Sequence, residues 1–266
     1  MENSTLSKYL NTFSPIDLAE MEGVKLMNRI DTKYVMRLSQ LPALLSAVSK
    51  DYYAQEIEGQ RIARYDTLYY DTADRDMYMR HHDRQLVRQK IRIRQYVDTG
   101  VTFLEIKRKN NKGRTKKKRM AVPGFALKND TLGQTKRETW SVEDYIAAKS
   151  NYEWSALSPH LRTLFDRITL VNKAKTERLT IDMHLTWQNT LTGEERSFPE
   201  LVIVELKRDG LTKNDGRLAI KDVLRDMRIQ PFKISKYCIG TALTTPELKQ
   251  NRFKEKIRKI DKLCRN

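Results

Sequence analysis

At 266 residues and 39% hydrophobic content the chain is long enough to bury a core as one large domain or two small ones, and 51 Lys and Arg against 34 Asp and Glu leave a net charge of +17. That excess points to phosphate-rich partners such as nucleic acid, anionic lipid, nucleotides or polyphosphate, and its sign alone does not choose among them. Two cysteines, Cys238 and Cys264, exclude a disulfide framework or a thiolate zinc site, and no run approaches the ~20 apolar residues of a membrane span, so a soluble, cytoplasmic chain without a leader is expected.

Residues 1–22 have mixed polarity and are expected to form a short helix or packed arm, followed by one domain over residues 23–246 and a basic C-terminal helix over 247–266. Arg29 to Val35 reads as a strand, and Ser39 followed by Pro42 suits a helix running to about Val48. A strand over Ile62 to Tyr70 is broken by Asp71-Thr72-Ala73-Asp74. Val87 to Tyr96, Val101 to Lys109 and Thr115 to Val122 are three more strands, the last two joined by the turn signal Asn110-Asn111-Lys112-Gly113. Ser141 to Asp144 reads as a capping box opening a helix, and a second helix is expected from Trp154 or Leu157 to Phe165. Strand character returns over Ile168 to Lys173, Arg178 to Trp187 and Leu201 to Arg208, with Thr192-Gly193-Glu194 as a turn, and Leu218 to Met227 has helical spacing. No repeat or long linker divides the chain, so one α+β domain of many antiparallel strands with peripheral helices is expected.

Several of these strands alternate charge with Ile, Leu or Val. In Lys90-Ile91-Arg92-Ile93-Arg94 three cations share one face, and in Glu105-Ile106-Lys107 and Glu205-Leu206-Lys207 a carboxylate lies beside a lysine on the same face. Such a face is commonly the solvated side of a half-buried sheet. Here its near-pure charge and the repulsion among clustered cations favour a sheet curled with the charge inward around an anion, with a carboxylate available to a hard divalent cation.

Seven segments in order, Asp31-Thr32-Lys33-Tyr34, Leu68-Tyr69-Tyr70-Asp71-Thr72, Lys90 to Arg94, Leu104-Glu105-Ile106-Lys107, Arg178-Leu179-Thr180-Ile181-Asp182, Val204-Glu205-Leu206-Lys207 and Phe232 to Tyr237, resemble the VTC domain. This is the polyphosphate polymerase domain of the vacuolar transporter chaperone family, within the CYTH-like triphosphate tunnel metalloenzymes. The resemblance implies an antiparallel β-barrel of about eight strands forming a triphosphate tunnel. By position it implies phosphate binding by Lys33, Lys90, Arg92, Arg94, Lys107, Arg178, Lys207, Lys233 and Lys236, to which Arg29, Lys117, Arg119 and Tyr237 are added. Lys33, Arg92, Arg94, Lys207 and Lys236 would form the catalytic set, and Glu205 would hold Mn²⁺ or Mg²⁺ with Glu105 and Asp182 as helpers. Two departures stand out: the family's Tyr-x-Arg appears as Val171-Asn172-Lys173, so one phosphate contact is altered or lost. Arg29 takes the first acidic place of the Glu-x-Glu-x-Lys that marks the adenylate cyclase branch.

The implied reaction is metal-dependent transfer of the terminal phosphate of ATP to phosphate or polyphosphate. Alternatives using the same residues are a tripolyphosphatase or nucleoside triphosphatase, and a non-enzymatic polyphosphate or nucleic-acid binder. Nucleic acid is the weaker partner, because Ile and Leu rather than aromatic residues interleave with the cations. Lys112 to Arg119 fits a basic rim at a tunnel mouth. The stretch Lys249 to Arg265 fits a helix packed on the barrel, with peripheral membrane contact as its alternative, and the oligomeric state is open.

Overall fold

Alternation sends successive side chains to opposite faces of a pleated strand, and a computed structural model describing residues 3–22, 29–209 and 220–265 turns that alternation into one large sheet. In chain order the elements are α1 (Asn3–Leu10), β1 (Ser14–Ile16), α2 (Leu18–Glu22), β2 (Arg29–Arg37), α3 (Leu41–Val48), β3 (Tyr52–Gln55), β4 (Ala63–Asp71), α4 (Asp76–His82), β5 (Arg88–Tyr96), β6 (Thr102–Lys109) and β7 (Thr115–Val122). There follow β8 (Leu132–Gln134), β9 (Thr139–Ser141), α5 (Val142–Lys149), β10 (Ser158–Asn172), β11 (Glu177–Asn189), β12 (Glu195–Phe198), β13 (Leu201–Asp209), α6 (Ile220–Asp226), α7 (Lys236–Thr244) and α8 (Asn251–Arg265). The start of the helix expected at Leu218 lies outside the described residues.

Eight strands form an antiparallel path, β2-β13-β11-β10-β4-β5-β6-β7, with β8 and β9 continuing its far edge. The fold is therefore α+β with the antiparallel, roughly eight-stranded sheet that was expected. Among the described residues β2 and β7 do not pair with each other, so the barrel is not closed by hydrogen bonds. The sheet curls nevertheless: Glu205 on β13 feels the charge of Lys107 on β6, and Lys90 on β5 feels that of Lys33 on β2. The segment before α7 lies along β2, where the Phe232 amide donates to the Lys33 carbonyl at 2.6 Å.

The apolar faces of these strands point outward, under two helical layers. Ile91, Ile93, Leu104 and Ile106 pack with Val142, Tyr145 and Ile146 of α5, whereas Val202, Val204, Leu206, Leu179 and Ile181 pack with Leu6 and Leu10 of α1, Leu41, Leu44 and Leu45 of α3 and Ile220 and Leu224 of α6. Each such side chain contributes roughly 1.5–3 kcal/mol on full burial. With the apolar surface used outside, the charged face is left for the concave side.

Ser141 caps α5, its Oγ accepting from the Asp144 amide at 3.1 Å. On α8, Phe253 and Ile260 are buried against the domain, so the apolar stripe that could have met a membrane is spent on the protein. No helix among the described residues is long and apolar enough to cross a membrane.

One expectation is overturned. The segment expected as a helix to Phe165 holds only a short 3-10 turn, Trp154–Ala156, after which β10 runs unbroken for 15 residues and absorbs the strand expected from Ile168. Leu161, Thr163 and Phe165 alternate with Arg162, Leu164 and Asp166, and β4 and β11 pair with the two edges of the strand. Cross-strand partners decide such short apolar stretches, because helical and strand periods fit them about equally well.

Candidate active site

The register stacks the charged residues in rows across the concave face. Lys33 of β2 lies opposite Glu205 of β13, which lies opposite Thr180 of β11, and the next row runs Asp31, Lys207, Arg178. On the other half, Arg92 lies opposite Glu105 and then Arg119, and Lys90 opposite Lys107 and then Lys117. β10 and β4 join the halves, with Arg167 opposite Asp182 and Thr67 opposite Arg94.

Three carboxylates are embedded among these cations. Glu105 is fully buried: Arg92 donates to its Oε2 from Nε at 2.8 Å and Nη2 at 2.5 Å, and Lys117 Nζ reaches its Oε1 at 2.9 Å. Burial alone would raise its pKa, but Arg92, Arg94, Lys117 and Lys107 hold it well below the usual carboxylate range. Asp182 takes a two-pronged contact from Arg167, Nε to Oδ1 at 2.5 Å and Nη2 to Oδ2 at 2.8 Å, and a short contact from Lys236 Nζ. Here too burial opposes ionisation, and Arg167 and Lys236 outweigh it. Glu205 is bound by Lys207 at 2.5 Å through Oε2, while its Oε1 has Lys33 only at 3.8 Å. Its side chain is 20% exposed against 0% for Glu105 and 2% for Asp182.

That difference bears on a metal. Glu105 and Asp182, expected as metal helpers, have both oxygens taken by cations and serve as counter-ions instead. Glu205 presents an oxygen toward the concave space, and no cluster of three or more acidic, His or Cys side chains able to hold a metal occurs among the described residues. A hard cation such as Mg²⁺ or Mn²⁺ fits this arrangement on one carboxylate, with its other ligands drawn from phosphate oxygens and water.

Positive charge remains in excess around these pairs. Arg92 together with burial pushes Lys107 well below the usual lysine range, against the pull of Glu105 and Glu205. Burial lowers Lys90, Lys207, Lys117 and Arg94 in the same direction. Lys236 is pushed down to about 8, because burial outweighs the Asp182 carboxylate and Arg167 repels it. Tyr69, 4% exposed, accepts from Arg92 Nη1 at 3.2 Å. Burial would raise its phenol, yet Arg92, Arg94, Lys90 and Lys236 bring it below the usual value. A phenol so perturbed reports a strongly positive space.

The structure thus gathers Lys33, Lys90, Arg92, Arg94, Lys107, Lys117, Arg119, Arg178, Lys207 and Lys236 on the concave face. Arg178 donates to the Met21 carbonyl at 3.4 Å, and Lys33 and Lys90 touch the Ile234 carbonyl at 3.3 Å and Ser235 Oγ at 2.8 Å. Lys233 is exposed outside the rows. Tyr237, expected to bind phosphate, instead gives its hydroxyl to Asp71 and is 1% exposed. Asp71 also accepts from the amides of Thr72, Met77 and Tyr78, so it ties β4, α4 and α7 together. Arg29 faces Asp209 by backbone register, and its side chain lies outside the described residues.

Arg167 is a further residue of this face, and it falls between the helix expected to Phe165 and the strand expected from Ile168, both of which β10 absorbs. The aromatic-x-Arg sought at Val171-Asn172-Lys173 is present six residues earlier as Phe165-Asp166-Arg167, with the guanidinium on the charged face, while Lys173 is exposed. Period-two alternation through Thr163, Phe165 and Arg167 was the signal that could have found it.

No curated protein matches the chain. Among solved structures, a candidate adenylate cyclase of Vibrio parahaemolyticus aligns at 12% identity and a TM-score of 0.45, covering 81% of this chain and 99% of that one. A second candidate adenylate cyclase, from Bacillus halodurans, aligns at 14% and 0.44 over 79% and 96%. A candidate adenylyl cyclase of Hippeastrum, described as having a dominant triphosphatase activity, aligns at 14% and 0.42 over 81% and 96%. The match to the family described as the VTC domain runs over residues 28–245, most of the sequence, and the chain belongs to that family.

Proposed function

We propose that this chain is a metal-dependent phosphotransferase that passes the terminal phosphate of ATP to phosphate or a growing polyphosphate chain along the concave face. The observation that carries the reading is the excess of inward cations, several held below their usual protonation by one another and by burial. Such a face is stabilised by a linear polyanion and by little else. Family membership supports the same reading.

Phosphoryl transfer asks the protein mainly for positioning and charge neutralisation. Arg92, Arg94 and Arg167 offer planar donors, with Glu105 and Asp182 keeping Arg92 and Arg167 extended into the space. Lys33, Lys107, Lys207 and Lys236 add point charges, and Glu205 would hold the metal. When bound, that metal would neutralise charge on the phosphate oxygens and assist the leaving group. The lysines' place in a chain of cations lets a second phosphate lie in line with the first.

The test is purified protein with γ-labelled ATP and Mn²⁺ or Mg²⁺, the products resolved on a gel. A ladder of lengthening polyphosphate that disappears on chelation is expected. Labelled inorganic phosphate alone would reassign the chain as a triphosphatase, and no turnover with any primer would reduce it to a binding module.

Affinity for ATP should also depend on pH in a defined sense. Lys236 titrates at about 8 in the free protein, and bound phosphate raises it toward the usual lysine value. The complex then binds more protons than the free protein above pH 8, so affinity falls as pH rises from 8 toward 10. Below about pH 7 Lys236 is charged in both states and contributes no slope. Calorimetry in two buffers of different ionisation enthalpy should show proton uptake at pH 8.5, and proton release would contradict the assignment.

A further inference from the structure

The charged face is not uniform along the strands. Toward α7, β5 and β6 present Lys90 and Lys107, and Ser235 at the start of α7 touches Lys90. At the other end of the same strands the face becomes aromatic, with Tyr65, Tyr96 and Phe103. Tyr65 and Tyr96 pack at 4.9 Å between centroids, Tyr96 and Phe103 meet edge to face at 6.0 Å, and the Arg119 guanidinium lies 4.4 Å over Phe103.

Aromatic side chains in this protein are mostly core, and Tyr65 is 7% exposed. Tyr96 and Phe103 differ: they stand on the charged face and stay half-buried, and Arg119 above Phe103 is exposed. One cross-strand neighbour of Phe103 is Ala121, whose side chain is small. Arg94 is the other cross-strand neighbour of Phe103, so the nearest phosphate-binding cation is adjacent.

We propose that Tyr96, Phe103 and Arg119 form a stacking site for the base of a nucleoside triphosphate, which gives the trough a direction. The base stacks on the exposed outer face of the Arg119 guanidinium, which Phe103 supports from beneath, and the phosphates run past Arg94 and Arg92 toward Lys107 and Lys90. Phe103 and Lys107 are four residues apart on one strand, about 13 Å at ~3.3 Å per residue, a span an extended nucleoside triphosphate covers. Stacking is indifferent to which base is presented, so adenine and guanine nucleotides should both be accepted. The inference rests on the phosphotransfer reading and adds to it a nucleoside end and a phosphate end.

The experiment is calorimetric binding of the β,γ-imido analogue of ATP and of inorganic tripolyphosphate, each with Mg²⁺, to wild type and Phe103→Leu. Phe103→Leu, which removes the ring that holds the Arg119 guanidinium in place, should weaken the nucleotide roughly tenfold, in line with the loss of one stacked base, and leave tripolyphosphate within about twofold. Equal losses for both ligands, or no loss for the nucleotide, would overturn the stacking site. Failure of wild type to bind tripolyphosphate at all would instead overturn the phosphotransfer reading. Should Phe103→Leu not fold, the fluorescence of etheno-ATP on wild type decides: quenching on binding supports stacking, and binding with unchanged intensity overturns it.

Discussion

Asp182→Asn is expected to destabilise the protein by about 3–5 kcal/mol, the range found when one partner of a buried ion pair is removed. The carboxylate is 2% exposed as a side chain and is held by Arg167 and Lys236 together. Asparagine keeps the size but removes the charge, leaving two cations in one desolvated space with a single carbonyl acceptor between them. In urea the midpoint should fall with little change in slope. Tripolyphosphate should restore part of the loss, since a bound polyanion supplies the missing negative charge and stabilises the folded state by mass action. An unchanged midpoint would show that Asp182 is not the counter-ion of this cluster. A loss that no polyanion repairs would detach the cluster from the proposed ligand.

Glu205→Ala should separate binding from turnover. On the metal role proposed for Glu205, its removal takes away several kcal/mol of transition-state stabilisation, so a fall in kcat of roughly 100-fold or more is expected. Glu205 also lowers the positive charge of its surroundings through Lys207 at 2.5 Å and Lys33 at 3.8 Å. Without metal, the variant should therefore bind tripolyphosphate more tightly than wild type does. Burial would raise the Glu205 pKa, but Lys33, Lys207 and Lys107 hold it well below the usual carboxylate range, so it is ionised at every working pH and neither effect should vary between pH 6 and 8. Turnover retained in the variant would remove Glu205 from the metal role. Weaker metal-free binding would mean that the carboxylate does more to position the lysines than to neutralise them.

The faces of the strands were legible without coordinates. Lys90, Arg92 and Arg94 share a side with Glu105, Lys107, Glu205 and Lys207 because a strand's period of two is a local property, and three cations in a row cannot be mistaken for a core. The seven family segments were legible for the same reason, each being short and contiguous. Asp71 and Tyr237 were recognised as motif residues, but the bond between them joins positions 166 apart in sequence, and their role as a tie between β4 and α7 appears only when both are placed.

Tertiary structure decided the remainder. Leu157 to Phe165 carries a pattern that either period accommodates, and pairing with β4 on one side and β11 on the other made it a strand, which in turn put Arg167 on the charged face. The family resemblance named Glu205 as metal holder with Glu105 and Asp182 as helpers, but which of their oxygens cations occupy was beyond the sequence. Glu105, Asp182 and Glu205 look alike as letters, but cross-strand and cross-trough neighbours bind both oxygens of the first two and leave one oxygen of the third without a close cation. The side a residue faces follows from its immediate neighbours in the chain, whereas what stands opposite it depends on register and curl, which long-range packing alone sets.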